Sequence, residues 1–93
     1  MSELLREHPT LVGGTDNGND TYVAQIWARA TDNGHWEAWI VFVPVQQGAH
    51  MRRTERDTTQ ASRDDVEHWA AGVTSIYLQS ALARSRPVRI AAV

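Results

Sequence analysis

Residues 21–45, TYVAQIWARATDNGHWEAWIVFVPV, decide the fold. Two runs rich in aromatic and β-branched side chains, Thr21 to Thr31 and Trp36 to Val45, flank Asn33-Gly34. That arrangement predicts a β-hairpin closed by a two-residue type I′ turn. With Asn33 and Gly34 central, Asp32 lies opposite His35 and Ala24 opposite Val43. One face of the hairpin then carries Tyr22, Ala24, Ile26, Ala28 and Ala30 with Val45, Val43, Val41 and Trp39. Small residues on one strand and branched ones on the other make this the expected bed for a helix. The opposite face carries Val23, Gln25, Trp27 and Arg29 with Phe42, Ile40, Ala38 and Trp36.

Downstream, Pro44 and Gly48 end the second strand, because proline cannot donate to a central ladder. Residues 49–54 are expected to return as a short third strand, and Glu55 to Ala61 to form a polar loop. Ser62 is a good N-cap, with Asp64 and Asp65 at the positive end of a helix. Val66, Trp69, Ala70, Val73, Ile76, Tyr77, Ser80 and Ala81 recur at helical spacing, which predicts one long helix from Ser62 to about Arg84. Pro87 forbids much continuation, and the alternation in Val88–Val93 suits a C-terminal strand. The expected fold is α+β and two-layered: an antiparallel sheet of three or four strands packed against one long helix. Its expected core holds Ile26, Trp39, Val41, Val43, Val66, Trp69, Val73, Ile76 and Tyr77. Residues 1–20 read as a polar N-terminal arm, and residues 21–93 as a single domain. Thr-Asp-Asn-Gly occurs at 15–18 and again at 31–34, but Asn-Gly is the commonest turn dipeptide, so the echo marks two turns and no repeat.

Composition narrows the function classes. Ninety-three residues, 42% of them hydrophobic and 22% charged, suit one globular domain. The absence of cysteine removes disulfides, thiolate metal sites and thiol nucleophiles. No apolar run reaches the roughly 18 residues of a membrane span, and no secretion leader is visible, so a cytoplasmic protein is expected. All nine basic residues are arginine. A GC-rich genome accounts for that, although arginine's planar fork also suits phosphates and interfaces. Residues 1–51 hold two Arg against six acids, residues 52–93 seven Arg against five, and the net charge of −2 does not suggest a dedicated DNA-binding protein.

Catalytic and metal motifs are missing. His8, His35, His50 and His68 form no i,i+3 or i,i+4 pair, so no metal and no cofactor are expected. The run Asp16 to Asp20 lacks the order of a calcium loop. No serine sits in a Gly-x-Ser-x-Gly turn, Gly13-Gly14 has no phosphate-loop context, and the pairs Glu55/Asp57 and Asp64/Asp65 read as solvated. The expectation is a protein that is not an enzyme.

Two apolar patches are then left over. Trp27, Trp36, Ile40 and Phe42 lie on the sheet face away from the helix, and Leu78 and Leu82 project outside the main helical stripe. Patches of that size mark interaction surfaces, so a homodimer or another protein partner is expected. The alternative is single-stranded nucleic acid. Its bases would stack on Trp27 and Phe42 beside Arg29, and its phosphates would meet Arg52, Arg53 and Arg56.

Several stretches resemble HicB-type antitoxins. Tyr22-Val23-Ala24 opens the first strand, Asp32-Asn33-Gly34 turns it, and Phe42-Val43-Pro44 ends the second. Thr58-Thr59 precedes the helix, and Tyr77-Leu78 lies in its later half. The likeness covers about residues 22–93. The family's Pro-Asp-Leu-Pro-Gly-Cys run becomes Pro44-Val45-Gln46-Gln47-Gly48 here, without the acid or the cysteine. The resemblance implies a partial ribonuclease-H-like βββαβ topology and a regulatory partner-binding role, with no catalytic residues.

Overall fold

Thr21–Ala30 (β3) and Trp36–Pro44 (β4) form the central antiparallel hairpin of a computed structural model that describes residues 1–13 and 20–88. The hairpin is as expected, but its loop has three residues instead of two. The Gly34 amide donates to the Thr31 carbonyl (3.1 Å) and the Thr31 amide to the His35 carbonyl (2.8 Å). Gly34 has φ +84°, and no other residue of the loop has a positive φ. A type I′ turn needs positive φ at both central residues, whereas a turn followed by one left-handed glycine needs it once. The side chains of Thr31 and Asn33 bond to each other, and the Thr31 hydroxyl also donates to the His35 carbonyl, which adds support to the longer loop.

The extra loop residue shifts the register by one position. Ala24 lies opposite Phe42, Ile26 opposite Ile40 and Ala28 opposite Ala38. Because side chains alternate along a strand, a one-residue shift moves every β4 side chain to the other face. Phe42 and Ile40 therefore enter the core, while Trp39, Val41 and Val43 go to the opposite side. Trp39 and Val41 are buried as expected, at 7% and 9% exposed, but on the side away from the helices, where half-buried Val43 joins them.

The sheet is also larger than three or four strands. Among the described residues, Glu3–Glu7 (β1), Val12–Gly13 (β2), Arg52–Arg53 (β5), Thr58–Gln60 (β6) and Arg86–Pro87 (β7) join β3 and β4 in one antiparallel sheet of seven strands, order β1-β3-β4-β5-β7, with β2 also on β3 and β6 also on β4. Glu3–Glu7 (β1) and Val12–Gly13 (β2) add the N-terminal residues to one edge. Arg52–Arg53 (β5) is the expected third strand, shortened, and Thr58–Gln60 (β6) pairs where a loop was expected. Arg86–Pro87 (β7) closes the other edge against β5. The expected C-terminal strand lies, beyond Val88, outside the described residues, as does most of the Asp16–Asp20 run.

One long helix is replaced by two short ones, Arg63–Ala71 (α1) and Ser75–Arg84 (α2). Ser62 caps the first as expected, accepting from the Asp65 amide at 3.1 Å. Gly72 ends α1, and Thr74, extended at φ −102° and ψ 167°, caps α2 by accepting from the Tyr77 amide. Gly72, Val73 and Thr74 are all poor helix formers, and a threonine that can cap a new helix favours the break. The break resets the helical phase. Leu78, Ala81 and Leu82 become the buried face of α2, and Ile76, expected in the core, is 83% exposed.

Both helices pack on the Ala24/Ile26/Ala28 face, where alanines on β3 and β4 let them approach closely. The core joins these residues to Ile40, Phe42, Val66, Ala70, Leu78 and Leu82. Trp69, Val73 and Tyr77 pack against its rim, with Trp69 edge-on to Tyr77 at 5.9 Å across the helix break. Arg63 ties α1 to β1 through Glu3, and that hydrogen bond holds the Glu3 carboxyl below its usual range. No described helix is long and apolar enough to cross a membrane.

The phase reset makes a direct prediction. Leu78→Ala should cost about 2–5 kcal/mol in urea unfolding, as for a buried leucine, whereas Ile76→Ser should stay within about 0.5 kcal/mol of the parent. Equal losses at both positions would contradict the two-helix arrangement.

Candidate interaction face

The helices cover one side of the sheet, and the register leaves the other side to Val23, Gln25, Trp27 and Arg29 on β3 and to Val43, Val41, Trp39 and Glu37 on β4. Leu4 lies beside Trp27 and Glu7 beside Gln25 on the β1 edge. Arg53 lies beside Val41 and Thr59 beside Glu37 on the far edge of β4.

The centre of this face is Trp39, opposite Trp27. Neither described helix covers Trp39, yet it is only 7% exposed. Two guanidinium groups screen it: the Arg53 carbon lies 4.9 Å from the ring centre and that of Arg29 lies 5.9 Å away. A cation over an indole is attracted by the ring's negative face. The polar groups around the tryptophans are also tied to one another. The Trp27 indole donates to Gln25 (3.0 Å), and the Gln25 amide donates to Glu7 (3.0 Å). Arg29 pairs with Glu37 at 2.6 Å, and the Arg53 Nε donates to the Thr54 carbonyl at 3.1 Å. The face therefore holds an apolar strip in which Trp39 and Val41 are buried and Val23, Trp27 and Val43 half-buried, with its main polar groups bonded to neighbours.

The residues proposed from sequence separate into distinct environments. Trp27 is on this face. Ile40, Phe42, Leu78 and Leu82 are fully buried in the core and Trp36 packs against it, because the register and helix phase differ from those expected. Arg29 and Arg53 are on the face. Arg52 is on the other side, donating to the hydroxyl and carbonyl of Ser85. Arg56 lies by the hairpin loop, lining a shallow cleft with Glu37 and Thr59. The four arginines thus do not form one basic surface. Trp39 is the main residue that the sequence reading placed elsewhere; the register alone reveals it.

A second polar cluster surrounds Asp57, which was read as solvated and has a side chain only 2% exposed. It accepts from the Thr54 hydroxyl, from the Tyr77 hydroxyl at 3.0 Å and from Arg84 at 2.8 Å. Thr54 in turn accepts from the Ile40 amide at 3.0 Å. The cluster clips α2 to the turn between β5 and β6, and both carboxylate oxygens are engaged. Thr54 is three residues away, but Tyr77 and Arg84 stand 20 and 27 residues away in the chain, so no local pattern signals the cluster. A cleft of about 380 Å³ at the other end of the hairpin is lined by Asp20, Tyr22, Gln46, His50 and Arg52 among others, with acid and base both present. Among the described residues, no three His, Cys, Asp or Glu side chains gather as metal ligands. Comparison with protein-family models, with curated proteins and with solved structures finds no match.

Burial, followed by the neighbouring Asp57 charge and its hydrogen bond, raises the Tyr77 phenol above its ordinary value of 10.0. The folded chain therefore keeps this proton at a pH where the unfolded chain has lost it. The contribution of Tyr77 to stability is complete below about pH 10 and is lost as the pH rises through the raised folded value. Urea midpoints measured between pH 8 and 11 should fall at the alkaline end, and Tyr77→Phe should flatten that fall; an unchanged slope would contradict the assignment.

Proposed function

We propose that this chain is a non-catalytic, self-associating protein-interaction module that works by burying the helix-free face of its sheet. The observation that supports this reading is the apolar strip of Val23, Trp27, Trp39, Val41 and Val43, whose flanking polar groups are already hydrogen-bonded. Such a surface can leave water without stranding donors or acceptors, which is the main cost of burying polar groups in an interface. The strip is flanked by Arg29, Arg53, Glu7 and Glu37, giving an apolar centre with a charged rim.

Single-stranded nucleic acid fits the same surface less well. Base stacking needs an open aromatic face, and Trp39 lies beneath two arginines. Phosphate binding needs uncommitted positive charge, whereas Arg29 is paired with Glu37 and Arg52 points to the other side. The regulatory partner-binding role implied by the HicB resemblance belongs with the protein-docking reading.

Site-specific photo-crosslinking tests the reading in cells. A benzophenone side chain in place of Trp27 should give adducts that resist nuclease and are destroyed by protease, and one in place of Ile76, which is exposed but on α2, should give few. Adducts removed by nuclease, or equal yields at both positions, would overturn the protein-docking reading.

A further inference from the structure

The helix-free face has a charge pattern that suits one occupant in particular. The inference below rests on the reading of this face as a protein-docking surface and names what docks there. Cross-strand pairing arranges the face in rows across the sheet. One row runs Glu7, Gln25, Val41, Arg53; the next Leu4, Trp27, Trp39; the next Arg29, Glu37, Thr59; and a last row is Val23, Val43. The first row starts with an acid and ends with a base. The third has the base on β3 and the acid on β4. With two arginines and two glutamates, the four charges of the face cancel, so neither a polyanion nor a strongly basic or acidic partner gains from it. A surface whose rows reverse sign from one side to the other is complementary to itself.

We propose that the occupant is a second copy of this chain, packed face to face about a two-fold axis lying parallel to β3 and β4 and midway between them. Rotation about such an axis preserves strand direction and exchanges the two sides of every row, giving an aligned sheet-on-sheet packing. Arg29 then faces Glu37 of the partner subunit, and Glu7 faces Arg53 of the partner subunit. Trp27 faces the guanidinium groups that lie over the partner's Trp39, and Val23 faces the partner's Val43. By symmetry each contact occurs twice; opposite charges meet in two rows, Val23 meets Val43 in another, and Gln25 meets Val41 in the row of Glu7 and Arg53. The two-fold axis perpendicular to the strands along the tryptophan row instead sets Arg29 against Gln25 and Glu37 against Val41, leaving both charges without an opposite charge across the interface.

Two further features agree with this arrangement. The β1 edge carries Glu3, Arg6 and Glu7 and a register shift between Leu4 and Arg6, which discourages edge-to-edge strand addition there. Four strands about 4.8 Å apart and six residues at about 3.4 Å give a face of about 390 Å². Two such faces bury about 800 Å², below the roughly 1,000 Å² that a stable specific interface clears, so the dimer should be weak, reversible and concentration-dependent.

The test is a pair of charge reversals on the full chain, Glu7→Arg and Arg53→Glu, followed by sedimentation equilibrium from micromolar to submillimolar concentration. The two positions are three strands apart in one chain, about 14 Å, too far for direct contact within it. Alone, each variant sets like charges against each other at both symmetric contacts, and its dimer should weaken by about tenfold or more. Mixed at equal concentration, the two variants restore opposite charges at both contacts and should associate about as strongly as the parent. That recovery also shows that both variants are folded. A mixture no stronger than either variant alone would overturn the proposed axis. A parent chain monomeric throughout would overturn the second copy as occupant, yet leave the docking reading standing if the crosslinker at position 27 still captures another protein. A parent dimer unaffected by both reversals and by Trp27→Asp would overturn the inference and the docking reading together.

Discussion

The register of the central hairpin is the constraint on which the rest of the structure depends. It is set by Thr31, Asn33 and Gly34, where one left-handed glycine and two polar side chains hold a three-residue loop. The choice of loop decides which residues of β4 meet the helices. With this register, Phe42 and Ile40 fill the space above the alanines of β3, and Trp39 and Val41 are left on the other side. A two-residue loop would bury Trp39 beneath the helices and expose Phe42. Interior and candidate interface are thus two consequences of one local choice of backbone.

The helix pair depends on that choice in turn. Alanine at 24, 28 and 38 offers a shallow bed, and the residues that fill it from above are Val66, Ala70, Leu78, Ala81 and Leu82. A continuous helix of the same sequence would present Ile76 where α2 presents Leu78. The break at Gly72–Thr74 lets α1 and α2 each turn their own apolar side to the sheet, and Asp57 secures α2 through Tyr77 and Arg84. Buried polar groups of this kind fix a single arrangement because every bond must be satisfied together.

Much of this was legible in the sequence, and the limits have physical causes. The hairpin, the Ser62 cap and the end of the helical region at Arg84 follow from strong local signals. The register did not, because Asp-Asn-Gly suits both a two-residue and a three-residue loop, and the Thr31 and Asn33 bonds that hold the longer one lie outside the Asn-Gly signal. The helix break was hidden because Val73 continues the apolar spacing across a glycine and a capping threonine. Strand β6 was missed because Thr58-Thr59-Gln60 looks polar in isolation and gains its partners from Trp36 to Ala38. The interaction face inherited the register error: of six apolar candidates only Trp27 is on it, with Arg29 and Arg53 at its rim.

The measurement that tests the account most directly is the set of cross-strand Hα–Hα nuclear Overhauser contacts in the isotopically labelled protein. The ladder described here places the α-protons of Ala24 and Phe42, Ile26 and Ile40, and Ala28 and Ala38 against each other, since these pairs do not exchange backbone hydrogen bonds. Strong contacts at these three pairs would establish the face that holds Trp27 and Trp39 as the one without helices. Contacts of Gln25 with Phe42 and of Trp27 with Ile40 instead, the non-hydrogen-bonded pairs of a two-residue loop, would reverse the two faces and contradict the account.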